Sequence, residues 1–124
     1  MRIDVLTLFP ELFEDFKKWS IVGRTLEKGL FSLNKINIRD FSKDKHKRVD
    51  DYPFGGGPGM VMKPEPIYEA LSNIKSQSSI VIYLSPQGIP YNQELANSLS
   101  KEEHLILLCG HYEGVDQRII DFWE

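Results

Sequence analysis

The sequence predicts an α/β fold in which an open, mostly parallel sheet carries helices on both faces, and three observations predict it. Short apolar runs alternate along the chain with segments of helical periodicity. The short runs are apolar almost throughout, which is typical of strands covered on both faces. The chain shows no internal repeat, low-complexity tract or dividing linker. We therefore expect one domain with right-handed crossover connections.

The first third of the chain predicts a strand and two short helices. Ile3 to Leu8 is a nearly continuous apolar run, which suits a buried strand. Pro10 is well placed near a helix start. Apolar residues then recur at helical spacing, at Leu12, Phe13, Phe16 and Trp19. We expect Ser20 to cap a second helix and Gly29 to end it.

The middle of the chain predicts a strand and a helix on either side of an irregular stretch. The strand is expected around Phe31 to Ile38, and the helix from Pro64 to Ile74. The helix carries one apolar stripe, made of Ile67, Tyr68, Leu71 and Ile74. Between them, Arg39 to Lys63 shows neither periodicity, and an irregular stretch of about 25 residues is uncommon unless it is functional or disordered.

The remaining elements complete the alternation of strands and helices. The third predicted strand is Ser79 to Leu84, and the fourth is Leu105 to Cys109. Between them, Asn92 is expected to cap a helix that carries Leu95 and Leu99.

Composition places the chain among ordinary globular proteins of a reducing cytoplasm. A chain of 124 residues buries about two thirds of its unfolded surface, so disulfides are not needed. The single cysteine, Cys109, lies in an apolar run and reads as a small core residue. No apolar stretch reaches the roughly 20 residues of a membrane span, and the amino terminus lacks a signal-peptide core. We expect a cytoplasmic location and no contact with membranes.

The charge distribution includes one basic cluster. A net charge of −3 argues against a wholly basic nucleic-acid-binding protein. From Lys35 to Arg48, however, six Lys or Arg residues stand against Asp40 and Asp44, which gives a local net charge of +4. Such a cluster beside a glycine-rich loop would position a polyanion next to a ligand site. The alternative interpretation is a solvated face.

Two segments follow the third and fourth predicted strands, at the edge where open α/β sheets bind ligands. The first is Tyr83-Leu84-Ser85-Pro86-Gln87-Gly88, in which Ser85-Pro86 forces an extended or turn geometry and Gly88 permits a positive φ or a close backbone approach. The second, Cys109-Gly110-His111-Tyr112-Glu113-Gly114, carries more functional groups than a turn needs. The two segments form one pocket if the strands are neighbours; otherwise they are plain turns.

A third segment, Val49 to Met60, contains four glycines and two prolines, which suits wrapping around a ligand better than packing. It is not a Walker A loop, because no Gly-Lys-Ser/Thr follows Gly59. It is not a dinucleotide fingerprint, because no strand leads into it. Asp50 and Asp51 at its start could act as a general base, base-edge acceptors or magnesium ligands, or be ordinary carboxylates of a solvated loop.

The histidines and nucleophiles give weaker indications. His46, His104 and His111 have no spacing that resembles a zinc site, so we expect no bound transition metal. Neither Ser85 nor Cys109 has a recognisable base partner at a known spacing. Covalent hydrolase chemistry therefore has no positive support in the sequence.

Six segments together resemble the bacterial tRNA (guanine-N1-)-methyltransferase family, TrmD, of the knotted SPOUT class. They occur in the family's order from Met1 to the end of the chain: Leu8-Phe9-Pro10-Glu11, Arg39-Asp40-Phe41, Val49-Asp50-Asp51, the Gly55 to Met60 run, Tyr83 to Gly88, and Cys109 to Asp116. The resemblance implies a homodimeric enzyme that binds S-adenosylmethionine in a deep trefoil knot. It implies methyl transfer to N1 of the guanine immediately 3′ of the tRNA anticodon.

The resemblance also implies which residues form the site. The cofactor-binding residues would be Tyr83, Leu84, Ser85, Pro86, Gln87, Gly88, Gly110, Tyr112, Glu113 and Gly114. The residues that face the target guanine would be Asp50, Gly55, Gly56, Gly57, Pro58 and Gly59. Asp50 and Glu113 are the implied catalytic residues. The family also uses magnesium, with Glu113 a plausible participant, and no residue is assigned as a metal ligand.

The sequence departs from the family at its end. Family members continue with an Ile-Gly-Asp-Tyr-Val-Leu-type segment that completes the knot, a linker that bears the proposed general base, and a helical C-terminal domain that grips tRNA. We expect residues 1–124 to be the N-terminal SPOUT domain in truncated form, with an incomplete knot and no methyl transfer by the chain alone. The alternative function is a non-catalytic RNA-binding or dimerisation module. A nucleotide hydrolase is disfavoured, because the glycine loop has no phosphate-binding lysine.

Overall fold

The computed structural model describes residues 1–43, 50–51, 61–62, 64–85 and 87–109, with the backbone alone described at 50, 51, 61 and 62. Within these residues the elements, in chain order, are β1 (Arg2–Thr7), α1 (Leu12–Phe16), α2 (Ser20–Glu27), β2 (Ser32–Asn37), a 3-10 helix (Ile38–Phe41), β3 (Asp50–Asp51), β4 (Val61–Met62), α3 (Pro64–Ile74), β5 (Ser79–Leu84), α4 (Gln93–Leu99) and β6 (His104–Cys109).

Four of the strands form one parallel sheet in the order β2-β1-β6-β5. The register places Leu6 opposite Ile36 on one side and opposite Leu108 on the other. The predicted parallel α/β sheet is therefore confirmed. Burial follows strand position, since the central strands β1 and β6 are mostly buried while the outer strands β2 and β5 are largely exposed or half-buried. The prediction of coverage on both faces thus holds for the central strands but is wrong for the two outer ones.

One face of the sheet packs against α3 and the 3-10 helix to form the main core. Its buried residues are Leu6, Leu8, Ile38, Ile67, Ala70, Leu71, Ile106 and Leu108. The α3 members of this cluster lie on one stripe of the helix, because positions 67, 70, 71 and 74 recur at helical spacing. The predicted helical stripe is confirmed, except that Tyr68 lies exposed.

The opposite face carries α1. Lys35 in β2 has Val5 as its register partner, so its side chain leaves the sheet on the face opposite Leu6. Lys35 forms an ion pair with Glu14 of α1. Helices therefore lie on both faces, as predicted, but unequally: α1 and α4 bury no residue, and α2 buries Gly23 alone.

The ends of α2 show one prediction confirmed and one wrong. Gly29 has a φ of +70°, the Leu30 N–H donates to the Thr25 carbonyl at 3.1 Å, and the Gly29 N–H donates to the Leu26 carbonyl at 3.0 Å. This pair of bonds is the Schellman arrangement, which needs a left-handed residue after the helix. At the start, Ser20 is not the cap: Trp19 precedes the helix with extended backbone, and Ser20 is its first residue with a φ of +57°.

Replacing Gly23 with alanine is expected to lower the free energy of unfolding by about 1–2 kcal/mol, measured by urea denaturation. A Cβ at this position would lie 2.9 Å from the backbone carbonyl carbon of Lys18 and 3.0 Å from its oxygen. Alanine normally stabilises a helix by about 1 kcal/mol relative to glycine. A Cβ this close to backbone atoms puts the overpacking cost at the upper end of its range of about 1–3 kcal/mol, which leaves a net loss of about 1–2 kcal/mol. Ser98→Ala, at an exposed position of α4, is the control. Equal stability of the two variants would contradict the prediction.

The irregular stretch from Arg39 to Lys63 contains structure that the sequence did not predict. A 3-10 helix begins it, and β3 pairs antiparallel with β4 near its end, with Asp50 opposite Met62 and Asp51 opposite Val61. Two-residue strands lack enough periodicity to stand out in a sequence. Residues 110–124 lie outside the described part of the chain, so the expectation of an incomplete knot stays a prediction.

Candidate functional site

The strands that carry the two strand-end segments are neighbours. β5 and β6 run parallel, and their last residues, Leu84 and Cys109, are register partners. The chain therefore leaves both strands at the same edge and the same level of the sheet, which confirms the condition for one shared pocket. Of the second segment, Gly110, Tyr112, Glu113 and Gly114 lie outside the described residues.

A hydrogen-bonded turn shapes the segment after β5. Ser85 accepts twice: its Oγ from the Gln87 N–H at 3.1 Å and its carbonyl from the Gly88 N–H at 3.2 Å. Gln87 and Gly88 are exposed, and Pro86 lies outside the described residues. A serine that bonds the backbone two residues later fixes such a turn. The sequence thus encodes a chain reversal at the end of β5, with two exposed residues at the reversal.

Tyr83 and Leu84 leave β5 on opposite faces. Tyr83 is half-buried against the main core beside Leu108, whereas Leu84 is exposed on the other face. Of the two, only Leu84 offers free apolar surface at the edge where the chain leaves the sheet.

Neither the φ angle of Gly88 nor a close contact of its Cβ position with the described residues requires a glycine. Among the described residues, Gly29 is the glycine with a positive φ, so of the two conformations that Gly88 permits, a positive φ is not the one adopted. A Cβ on Gly88 would find the Ser85 carbonyl oxygen at 3.4 Å, an ordinary contact.

The same edge of the sheet carries two polar residues that sequence reasoning missed. Thr7 ends β1 and Asn37 ends β2, and the two are register partners. Thr7 Oγ1 accepts from the Phe9 N–H at 3.0 Å, and Asn37 Oδ1 accepts from the Arg39 N–H at 3.0 Å. The signal was present in the sequence, since Thr and Asn at strand ends commonly bond the backbone two residues on. These bonds fix the course of the backbone after β1 and β2, which lie on the side of β6 opposite β5.

The backbone pairing of β3 and β4 brings the two ends of the glycine-rich segment together. Asp50 and Asp51 lie opposite Val61 and Met62. The intervening residues 52–60, which include the Gly55–Gly59 stretch, lie outside the described part of the chain, as do the side chains of both aspartates.

Part of the basic cluster is neutralised by carboxylates from other elements. Lys35 forms an ion pair with Glu14, and Lys43 Nζ lies 3.6 Å from Glu69 Oε1. Arg39 lies half-buried in the 3-10 helix. Three further basic residues of the cluster, Lys45, Lys47 and Arg48, lie outside the described residues.

Cys109, at the carboxyl end of β6, is half-buried, and burial raises the pKa of its thiol above the ordinary value of 9.0. The folded chain therefore holds the thiol proton more tightly than the unfolded chain does. This contribution to stability is complete below pH 9 and is lost as pH rises through the folded pKa.

Comparison of the wild-type chain with Cys109→Ala is expected to show this effect. The unfolding free energy of the wild type should fall, relative to that of the variant, as pH rises from about 8 to about 11. Urea denaturation across this range measures the difference, in which the titrations common to both chains cancel. A difference that stays constant with pH would contradict the prediction.

A buried polar chain lies at the opposite, amino-terminal edge of the sheet. His104 Nε2 lies 2.6 Å from Asp4 Oδ2, and His104 Nδ1 lies 2.6 Å from Ser79 Oγ. Sequence reasoning found no serine with a base partner, and the structure supplies one. Asp4 and His104 are 100 residues apart in the sequence, and no local sequence pattern predicts a contact at such a separation.

The described residues hold no group of three His, Cys, Asp or Glu side chains that could bind a metal ion. His46 and His111 are outside them. No helix in the described ranges is long and apolar enough to cross a membrane.

Comparison with known proteins gives consistent matches. The sequence model of the tRNA (guanine-1)-methyltransferase TrmD family matches residues 1–123. A tRNA (guanine-N(1)-)-methyltransferase of Caldanaerobacter subterraneus is 61% identical over 120 residues, which are 96% of this chain and 50% of that protein. That of Ruminiclostridium cellulolyticum is 60% identical over 124 residues, covering 98% of this chain and 53% of that protein.

A solved structure agrees with these matches. The crystal structure of the tRNA (m1G37) methyltransferase from Aquifex aeolicus superposes with a TM-score of 0.84 at 41% identity, over 98% of this chain and 56% of that one. The chain thus spans about half the length of the proteins it matches.

Proposed function

Since this chain belongs to the tRNA (guanine-1)-methyltransferase TrmD family, we propose that it supplies the cofactor-binding and guanine-facing part of a tRNA methyltransferase. The reaction transfers a methyl group from S-adenosylmethionine to N1 of the guanine immediately 3′ of the anticodon. The observation that carries the proposal is the adjacency of β5 and β6, whose paired ends, Leu84 and Cys109, start both cofactor segments at one edge. Parallel α/β sheets bind ligands at this edge.

The described residues fit a flat, partly apolar cofactor. Leu84 offers exposed apolar surface, the Ser85 turn carries the exposed residues Gln87 and Gly88, and a Cβ on Gly88 would meet the Ser85 carbonyl oxygen only at the ordinary contact distance of 3.4 Å. Tyr83 and Pro86 complete the proposed β5 side of the pocket. The other side is proposed to consist of Gly110, Tyr112, Glu113 and Gly114. S-adenosylmethionine supplies the methyl group at a positively charged sulfur.

The chemistry assigned to the chain is proton removal and positioning. N1 of guanine forms the new bond to the methyl carbon, the bond from that carbon to sulfur breaks, and the N1 proton leaves to a base. Asp50 is proposed to face the guanine, beside the Gly55–Gly59 loop, and Glu113 is proposed as a second catalytic carboxylate. A positioned carboxylate base contributes about 10²- to 10⁴-fold. Magnesium is proposed to bind beside Glu113.

The partners are proposed to be tRNA and a second copy of the chain, in the cytoplasm. The basic cluster between Lys35 and Arg48 suits a polyanion. Exposed large apolar side chains around α1 and α2 support a homodimer, because such surface favours association. They are Leu12, Phe16, Trp19, Ile21 and Leu30.

Replacing Gly88 with alanine is expected to weaken S-adenosylmethionine binding at least about tenfold, because the added methyl occupies space proposed for the cofactor. The unfolding free energy should change by less than about 0.5 kcal/mol, since the Cβ meets the protein only at an ordinary distance. Gly29→Ala is the matched control: its φ of +70° predicts a loss of about 1 kcal/mol in stability with unchanged cofactor affinity. Calorimetry and urea denaturation measure the two properties. An unchanged affinity for Gly88→Ala would contradict the placement of the pocket.

The proposed function is tested by adding labelled S-adenosylmethionine and an unmodified tRNA transcript to the purified chain. Calorimetric binding of S-adenosylmethionine supports the proposal. N1-methylguanine in digested tRNA, absent from a transcript with adenine 3′ of the anticodon, would extend the proposal to catalysis by this chain alone. Failure to bind S-adenosylmethionine, together with salt-dependent tRNA binding, would contradict it in favour of a non-catalytic RNA-binding module.

A further inference from the structure

The buried polar chain of Asp4, His104 and Ser79 ties together the amino ends of β1, β6 and β5. Asp4 is fully buried, and His104 and Ser79 are each 6% exposed. The two links, from Asp4 Oδ2 to His104 Nε2 and from His104 Nδ1 to Ser79 Oγ, are each 2.6 Å long. We infer that these residues form a hydrogen-bond relay in which the Asp4 carboxylate fixes the tautomer of His104, and thereby the direction of the Ser79 hydroxyl.

The charges around Asp4 determine the tautomer. Arg2 Nε lies 3.0 Å from Asp4 Oδ2, the same oxygen that His104 contacts. A carboxylate only accepts, so His104 Nε2 carries the proton and donates it to Asp4. Ser79 Oγ already accepts from the Ser76 N–H at 2.9 Å, so its own hydroxyl proton is available to His104 Nδ1, which accepts it.

Asp4 depends on this single oxygen. Asp4 Oδ1 is buried and has no hydrogen-bond partner among the residues that the structure describes. A buried acceptor without a partner is costly, so the carboxylate is stabilised through Oδ2 alone. Any change at His104 therefore alters the hydrogen bonding of the Asp4 carboxylate directly.

The Ser79 hydroxyl has a second possible acceptor, which makes the relay switchable. Ser79 Oγ accepts from the Ser76 N–H at 2.9 Å and lies 3.2 Å from Ser76 Oγ, which in turn lies 3.2 Å from Ser78 Oγ. Where the Asp4 carboxylate is removed, as in Asp4→Ala, the ring holds its proton on Nδ1 and donates to Ser79 Oγ, and the Ser79 hydroxyl turns to Ser76 Oγ. Ser76 and Ser78 are exposed, so the relay links a buried carboxylate to the surface turn between α3 and β5.

The three residues repeat the order of nucleophile, base and orienting carboxylate that serine hydrolases use. Here the serine hydroxyl is not accessible to a substrate. Ser79 Oγ already accepts from a backbone N–H, and the residue is almost fully buried. The geometry therefore supports a relay rather than a reactive serine.

Nitrogen-15 NMR of the His104 ring in the wild-type chain tests the tautomer. We expect a proton on Nε2 and none on Nδ1, with the His104→Gln spectrum identifying which ring signals belong to His104. In Asp4→Ala the proton should move to Nδ1. A wild-type ring protonated on Nδ1 instead, or covalent labelling of Ser79 by a fluorophosphonate probe, would overturn the relay.

A double-mutant cycle tests whether the ring couples its two partners. Asp4 and Ser79 touch the same imidazole from opposite sides, so Asp4→Ala and Ser79→Ala should be non-additive in the unfolding equilibrium constant by at least about twofold. The coupling should vanish in a His104→Gln background. Ser98→Ala paired with Asp4→Ala is the additive control. Additivity of Asp4→Ala and Ser79→Ala would overturn the relay, and the wild-type NMR result decides if Asp4→Ala does not fold.

Discussion

Replacing Leu6 with alanine is expected to lower the free energy of unfolding by about 3 kcal/mol, within the range of about 2–5 kcal/mol for such core truncations. Leu6 is fully buried in the central strand β1, between Ile36 on one side and Leu108 on the other, and belongs to the cluster beneath α3. The loss combines the transfer of the missing methyl groups with the cavity left behind. Strands on both sides of β1 limit collapse of that cavity.

Ile89→Ala removes the same number of carbon atoms at a residue that is 80% exposed and lies outside the proposed dimer surface. Its expected loss is below about 0.5 kcal/mol, because the side chain is already in water. Urea denaturation of the two variants and the wild type measures both values. If the two variants lost similar stability, Leu6 would not lie in the core.

The elements that the sequence predicts best are those with a complete local signal. Ser79–Leu84 is an apolar run of strand length, and both of its boundaries are confirmed. Asn92 caps α4 as predicted, its Oδ1 accepting from the Leu95 N–H at 2.8 Å. Because these signals depend on neighbouring residues alone, they can be interpreted without knowing the tertiary fold.

The features that the sequence does not predict depend on distant residues. The sheet order places β1 between β2 and β6, although the chain enters β6 only at His104. β3 and β4 exist because they pair with each other, since each has only two residues. Which strands become edges also depends on this order, and so does the exposure of β2 and β5. Periodicity shows that a strand is apolar but not whether a helix or another strand covers it.

The candidate site likewise contains features that the sequence predicts and features that it does not. A shared pocket was predicted on the condition that β5 and β6 are neighbours, as sequential strands often are, and the structure meets this condition and places both strand-end segments at one edge. The Asp4–His104–Ser79 chain was missed, because it depends on register across three strands. Ser79 and His104 are the first residues of β5 and β6 and are register partners. The two edges of one sheet therefore carry the proposed cofactor pocket and the buried relay.

Neutralising Lys45, Lys47 and Arg48 together, by replacement with glutamine, is expected to weaken tRNA binding on the order of 10²-fold near 0.1 M salt. This rests on the proposed function. Lys35 and Lys43 of the same cluster are paired with Glu14 and Glu69, so their charges are partly compensated within the protein. Counterions leave the tRNA mainly where a protein cation that is not already compensated neutralises a phosphate.

The salt dependence separates a specific contact from a general loss of charge. Three lost phosphate contacts should reduce the slope of log affinity against log salt concentration by about 2–3. The matched control is the triple replacement of Lys17, Lys18 and Lys28 by glutamine, which removes the same charge outside the cluster. If the basic cluster and not these lysines contacts the phosphates, as proposed, the control should leave the slope almost unchanged. Filter binding at several salt concentrations measures both slopes, and equal changes in the two triple variants would show that net charge, rather than the cluster, attracts tRNA.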